Sequence, residues 1–259
     1  MRAVVTGASS GIGADIAREL SRLGASLVLT ARRADALAAV AKECEAATVV
    51  VADLGTPEGV ATLAPHVRDA DILVNNAGFG YFRRFAEADA ARDAELVQLN
   101  IASLAALSRI FVDGRRGGSR AYLLNIASIA AYQSVPNFAL YAASKAFVRN
   151  FTEALHDELR GTPLSATVVC PGGTHTAFHA AAGAGNYGWL ANASMMSSAA
   201  VAKIGVRAML RRKRTVVPGV LNKLSCWSVR FVPRVIASWA AGRVLGAPGT
   251  KALPARSGS

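Results

Sequence analysis

Short runs of β-branched and aliphatic residues alternate along the chain with longer stretches whose apolar positions recur every three or four residues. RAVVTG, SLVLTA, ATVVVADL, DILVNNAG, RAYLLNIAS and SATVVCPG read as strands, and their continuous apolar character suits strands covered on both faces. Between them GADIARELSRLG, residues 34–46, 57–68, a long run near 89–112, and 139–160 read as amphipathic helices. The alternation predicts an α/β fold: one domain over residues 1–245, a doubly wound parallel sheet with helices on both faces. Ligands of such sheets sit beyond the carboxyl ends of the strands, and every glycine-rich or polar motif here directly follows a strand. After residue 174 the rhythm weakens. Residues 174–206 read as a substrate flap, 207–245 as a basic amphipathic part, and 246–259 as a flexible tail.

Composition changes this picture little, but charge changes it more. A chain of 259 residues, 52% hydrophobic and 18% charged, has ample material for a buried core. Its three cysteines, Cys44, Cys170 and Cys226, form no CxxC pair, and no signal peptide opens the chain, so a cytoplasmic location is expected. The formal charge of +12 is unevenly spread, because no aspartate or glutamate follows Glu158. That asymmetry points to an anionic partner for the C-terminal part.

TGASSGIG, residues 6–13, joins the first strand to the first helix. Its glycines allow a tight turn and a close approach of a pyrophosphate to backbone N–H groups at the helix N-terminus. The spacing is GxxxGxG, which alone also fits a turn with no ligand. Where an NAD site carries an acid at the end of the second strand, this chain has Ala31, Arg32 and Arg33. Two guanidiniums and no carboxylate favour a 2′-phosphate, hence NADP (NADPH).

YAASK, residues 141–145, places Tyr141 and Lys145 on one face of a helix. A lysine cation at ~4 Å, with an effective dielectric near ~20, favours the phenolate by up to about 4 kcal/mol, roughly three pKa units. That suffices to bring a tyrosine towards the range where general acid–base catalysis works. Taken alone, the pair reads first as a packed tyrosine beside a snorkelling lysine; Ser128 and the glycine loop tip the reading to catalysis.

With NNAG at 75–78 and Ser128, these motifs resemble the short-chain dehydrogenase/reductase family, in order and spacing, from about residue 3 to residue 178. The resemblance implies a Rossmann fold and a catalytic set of Asn100, Ser128, Tyr141 and Lys145. Ser128 would hydrogen-bond the substrate oxygen, Asn100 would hold a water in a proton relay to Lys145, and Lys145 would also reach the ribose. It further implies cofactor contacts from Gly7, Ser9, Ser10, Gly11, Ile12, Gly13, Arg32 and Arg33, and from Asp53 and Leu54 beside the adenine. Asn75, Ala77 and Gly78 would support the nucleotide, and Pro171, Gly172, Thr174 and Thr176 would border the nicotinamide. Gly173 departs from the proline common in the family.

His175 and His179 have metal-ligand spacing without a third ligand nearby, so no metal is expected. Arg207, Arg211, Arg212, Lys213 and Arg214 form a basic cluster, and Val220, Leu221, Leu224, Trp227 and Phe231 share one helical face between Lys223 and Arg230. The commoner use of such a face is inward, over a substrate pocket or against another subunit. Basic flanks with a Trp/Phe/Leu face also fit a helix lying in an anionic membrane surface. Charges and prolines break the apolar runs, so no membrane span is expected, and no nucleic-acid module is present. The expected function is an oxidoreductase acting on a small hydrophobic carbonyl or alcohol, as a homo-oligomer; a nucleotide-binding regulator without turnover is the alternative.

Overall fold

The computed structural model describes residues 1–115, 118–174 and 194–244. Seven parallel strands form one sheet in the order β3-β2-β1-β4-β5-β6-β7. They are β1 (Arg2–Thr6), β2 (Ser26–Ala31), β3 (Ala47–Val51), β4 (Ile72–Asn75), β5 (Ala121–Ile126), β6 (Leu164–Val169) and β7 (Thr215–Val216). β4, β5 and β6 are buried along their whole length, as strands covered by helices on both faces are. The strand order reverses between β1 and β4, and this switch point opens a crevice above their carboxyl ends.

The helices α1 (Gly11–Arg22), α2 (Ala34–Lys42), α3 (Pro57–Arg68), α4 (Ala90–Val97), α5 (Leu104–Gly114) and α6 (Ala139–Glu158) follow the strands in turn. One core layer joins Ile16, Leu20, Leu29, Val74 and Leu124; the other, across the sheet, joins Leu63, Leu73, Leu107, Phe111 and Leu123. The expected single helix near 89–112 is instead two helices joined by a π-helical turn, Gln98–Ser103. Its widened turn carries Asn100, whose amide is pinned to neighbouring segments. The run Ala90–Gly114 is apolar and long enough to cross a bilayer, yet Leu96, Leu104, Leu107 and Phe111 are buried in the core.

Among the described residues three further helices follow: α7 (Ser198–Leu210), α8 (Val220–Ser228) and α9 (Arg234–Val244). The start of α7 falls in the stretch expected to be a flap. It is instead a core helix, because Val201, Ala202, Val206 and Met209 recur at helical spacing and pack into the layer containing α1. Residues 175–193, including Thr176, His175 and His179, lie outside the described residues, as does the tail from 245 onward.

The basic cluster also needs correction as a single surface. Arg212 donates to the carbonyls of Thr162 and Leu164, at the amino-terminal end of β6. Arg214 pairs with Glu153 and Asp157 at 3.7 and 3.3 Å. These residues therefore sit at the amino-terminal end of β6 and β7, whereas α8 follows the carboxyl end of β7.

Candidate active site

A cavity of about 1030 Å³ runs above the carboxyl ends of the strands. One end is built by the turn after β1. Gly7 and Gly11 adopt positive φ angles of 65° and 57° there, a region that costs glycine nothing. A Cβ on Gly13 would fall 2.4 Å from the Gly7 carbonyl oxygen, so the third glycine serves helix–turn packing. Ser10 precedes α1 in extended conformation and gives no side-chain cap, which leaves the first N–H groups of the helix facing the cavity beside Ser9, Gly11 and Ile12. A pyrophosphate fits these donors and the positive end of the helix dipole.

The two arginines after β2 separate. Arg33 leans over the glycine turn, its Nη2 3.5 Å from Ser9 Oγ and 3.4 Å from Ser10 Oγ. Arg32 turns the other way, to Glu95 at 3.0 Å and Asp53 at 3.9 Å. Asp53 and Leu54 line the same end of the cavity. Both arginines line the cavity, so the two guanidiniums expected to grip one phosphate stand apart, Arg33 over the glycine turn and Arg32 held by carboxylates.

Of the NNAG motif, Ala77 and Gly78 line the cavity but Asn75 does not. Asn75, the last residue of β4, is buried and donates to Ser108 Oγ and Asn125 Oδ1 at 3.1 and 3.0 Å. Its neighbour Asn76 faces the cavity instead and ties the turn together, donating to the carbonyls of Thr6 and Gly7. Successive strand residues point to opposite faces, so only one of two adjacent asparagines can face a ligand.

The middle of the cavity gathers Ser128, Tyr141 and Lys145. Ser128 follows β5; its Oγ accepts the Ala130 N–H at 3.1 Å, which leaves the hydroxyl proton to be donated into the cavity. Tyr141 and Lys145 project from the first turns of α6. The Lys145 ammonium lies 5.7 Å from the centroid of the tyrosine ring and donates to the Ile126 carbonyl at 3.0 Å. Burial lowers the lysine to about 8, so the ammonium still predominates at neutral pH. Phe138 stacks on the Tyr141 ring at 4.2 Å, and Phe82 stacks on Phe138 at 4.0 Å, fixing the plane of the phenol.

Asn100 reaches this centre from the π-helical turn. Its Oδ1 accepts the Phe79 N–H, while its Nδ2 donates to the Phe79 carbonyl and to Ser144 Oγ. Both amide donors are thus used in tying the segment after β4 to α6. Pro171, Gly172 and Thr174 border the cavity after β6. Gly172 lies beneath the Asn222 amide of α8, where a Cβ would come within 2.4 Å of Asn222 Oδ1. Cys170 is no nucleophile here, since burial pushes its thiol up to about 12.

The far end of the cavity meets one of the placements expected for residues 220–231, over a pocket, but with their large apolar side chains turned outward. It is roofed by α8 and α9 through residues such as Val229, Ile236 and Ala240, facing Phe79, Val135 and Phe138. The turn at the switch point, the uncapped helix and the serine–tyrosine–lysine cluster thus share one crevice of a doubly wound α/β fold. The sequence profile described as short chain dehydrogenase matches residues 1–186, and the chain belongs to that family.

Relatives agree. An uncharacterized oxidoreductase of Staphylococcus saprophyticus is 34% identical over 179 residues, covering 66% of this chain and 76% of that protein. A very-long-chain 3-oxoacyl-CoA reductase of Mycosarcoma maydis is 31% identical over 64% of this chain, but the match spans only 51% of that enzyme. A short-chain dehydrogenase from Sphingobium yanoikuyae, solved in complex with NADPH, superimposes with a TM-score of 0.79 at 25% identity, covering 98% of each chain.

Proposed function

We propose that the protein is an NADP-dependent reductase that interconverts a carbonyl and an alcohol on a hydrophobic substrate. One observation carries this reading: Ser128, Tyr141 and Lys145 open into the same cavity whose other end holds the glycine turn and Arg33. The bound nicotinamide supplies or accepts the hydride. In the reductive direction the Tyr141 hydroxyl gives its proton to the carbonyl oxygen, and the Ser128 hydroxyl donates a hydrogen bond to the same oxygen. Negative charge developing on that oxygen is stabilised by both donors. The Lys145 ammonium, buried and close behind the ring, favours the phenolate that remains after the transfer.

Asn100 acts by position: it holds the Phe79 segment and α6 in register, and so sets where Tyr141 stands. Arg33 supports the choice of NADP, and the NADPH-bound relative is in keeping with it. The apolar roof and the stacked Phe82, Phe138 and Tyr141 favour a bulky, apolar ketone or acyl chain over a small polar one.

The test is a screen of aromatic, steroidal and long-chain ketones followed by NADPH absorbance, repeated with Tyr141→Phe. Turnover should appear with an apolar ketone and fall about 10²- to 10⁴-fold in the variant, as expected when a general acid is removed. NADPH affinity should change little. Near-normal activity in Tyr141→Phe would refute the assigned acid. Tight NADPH binding without turnover on any carbonyl would instead favour a regulatory nucleotide-binding protein.

A further inference from the structure

The helix face that the sequence places on one side of residues 220–231 points away from the protein. Leu224, Trp227 and Phe231 are 56%, 59% and 69% exposed. Across Pro233, α9 adds Val235 and Trp239, 81% and 60% exposed. The inward edges of both helices are made of small or polar residues: Asn222 and Cys226 on α8, Ala237 and Ala241 on α9. Asn222 fastens α8 by donating to the carbonyls of Pro218 and Ser194 at 2.9 and 3.2 Å. The two helices are therefore turned inside out relative to ordinary surface helices, which bury their large apolar side chains. A contiguous exposed face of this kind marks an interaction site.

Charge selects the partner. Lys223, Arg230, Arg234 and Arg243 all stand exposed on or between these helices, and no acidic residue follows Glu158. Among the described residues none of the four takes part in an ion pair. A second copy docking by the same face would bring these cations against their own equivalents, without a carboxylate from either C-terminal part. An anionic lipid headgroup layer offers each cation a phosphate or carboxylate and offers the tryptophans the interfacial zone they prefer.

We propose that the outer face of α8 and α9 docks on an anionic lipid surface. The cations involved are those of α8, α9 and the turn between them, rather than Arg211–Arg214 at the amino-terminal end of β6 and β7. Leu221 and Ile236 belong both to the exposed face and to the cavity lining. The cavity thus has apolar walls that continue onto the docking face. This last point, that an apolar ketone enters from the bilayer, rests on the proposed reductase function; the docking itself does not.

The experiment is co-sedimentation of the full chain with vesicles of phosphatidylcholine alone and of phosphatidylcholine mixed with phosphatidylserine, across a salt series. Binding is expected to the mixed vesicles and to weaken as salt shortens the screening length. The triple variant Lys223→Glu, Arg230→Glu, Arg234→Glu should lower the partition coefficient at least about a hundredfold. Trp227→Ser with Trp239→Ser should lower it at least about tenfold, with an increase in tryptophan quenching by brominated lipid seen only for the parent. All five positions are exposed, so an unchanged thermal midpoint shows that each variant is folded. The proposal is overturned if the parent sediments with neither vesicle at low salt. It is equally overturned if phosphatidylcholine alone binds as well as the mixture. A change of oligomeric mass in the tryptophan variant, without loss of lipid binding, would make the face a contact between copies and also overturn it.

Discussion

Lys145 stretches from α6 to donate its ammonium to the carbonyl of Ile126, the last residue of β5, at 3.0 Å. One hydrogen bond to a neutral acceptor does not replace the hydration that the cation gives up, and burial brings it down to about 8 from an ordinary value of 10.5. The site is held charged at neutral pH at the expense of the fold.

The first prediction follows from that imbalance. In the protein without cofactor, the displacement of Lys145 from 10.5 to about 8 corresponds to a destabilisation of about 3 kcal/mol at neutral pH. Lys145→Met should therefore raise the urea midpoint while abolishing turnover. The pH dependence has a definite sign. Between about pH 8 and 10.5 the unfolded chain binds one more proton at this residue than the folded chain, so raising the pH stabilises the parent. The stability gap between the variant and the parent should be widest below pH 8 and shrink as the pH approaches 10.5. Paired urea titrations at neutral and alkaline pH check this. A gap that widens with pH would mean that Lys145 is not held in its strained charged form.

A second prediction separates the two arginines after β2. Arg33 overhangs Ser9 and Ser10, whereas Arg32 is engaged by Glu95 and Asp53. Arg33→Ala should weaken NADPH by roughly tenfold or more, the scale of a lost charge-assisted hydrogen bond, and leave NADH nearly unchanged. Arg32→Ala should do much less to the NADPH/NADH ratio. Fluorescence titrations of both cofactors decide it. Equal effects of the two substitutions would show that Arg32 leaves its carboxylates to join the phosphate.

The sheet was legible in the chain because strands covered on both faces must be apolar throughout, and because the helices between them carry a clean apolar stripe. The cluster of Ser128, Tyr141 and Lys145 was legible because the glycine turn and the serine follow strand ends and the Tyr-x-x-x-Lys spacing sets both side chains on one face of α6. Other features were not. NNAG announces a polar strand end but does not say which asparagine faces the cavity; the pleat sends Asn75 into the core, to Ser108 and Asn125, and Asn76 outward. Helical periodicity shows that Leu224, Trp227 and Phe231 share a face, yet not which way that face points. The inward pull comes from Asn222, a polar residue whose partners are the remote carbonyl of Ser194 and the nearby one of Pro218. Pro233 reads as an ending, but it also opens α9, whose Ile236 and Ala237 N–H groups return to its carbonyl. The π-helical turn at Asn100 depends on tertiary hydrogen bonds to Phe79 and Ser144, which no local pattern encodes.

The last prediction concerns Gly80, in the segment between β4 and α4. A Cβ built there would stand 2.4 Å from Cδ2 of Tyr141 and 2.9 Å from Cε2 of Phe138. Gly80 is therefore the surface against which the phenol rests, and the Phe82–Phe138 stack closes the other constraint on its plane. Neither ring can yield without disturbing the other, since Phe138 and Tyr141 are both buried. Gly80→Ala must rotate Tyr141 or push the segment outward, and either displaces the hydroxyl from the carbonyl oxygen that it protonates in the proposed reaction. A misplacement of about 1 Å can cost on the order of a hundredfold in rate, so kcat should drop by tenfold to a hundredfold. Gly80 does not line the cavity that would hold the nucleotide, and NADPH affinity should stay within a few-fold. Steady-state kinetics on the best ketone from the screen, together with an NADPH titration, separate the two quantities. An unchanged kcat would show that the tyrosine ring has room to move, and that its stacking does not set the position of the acid.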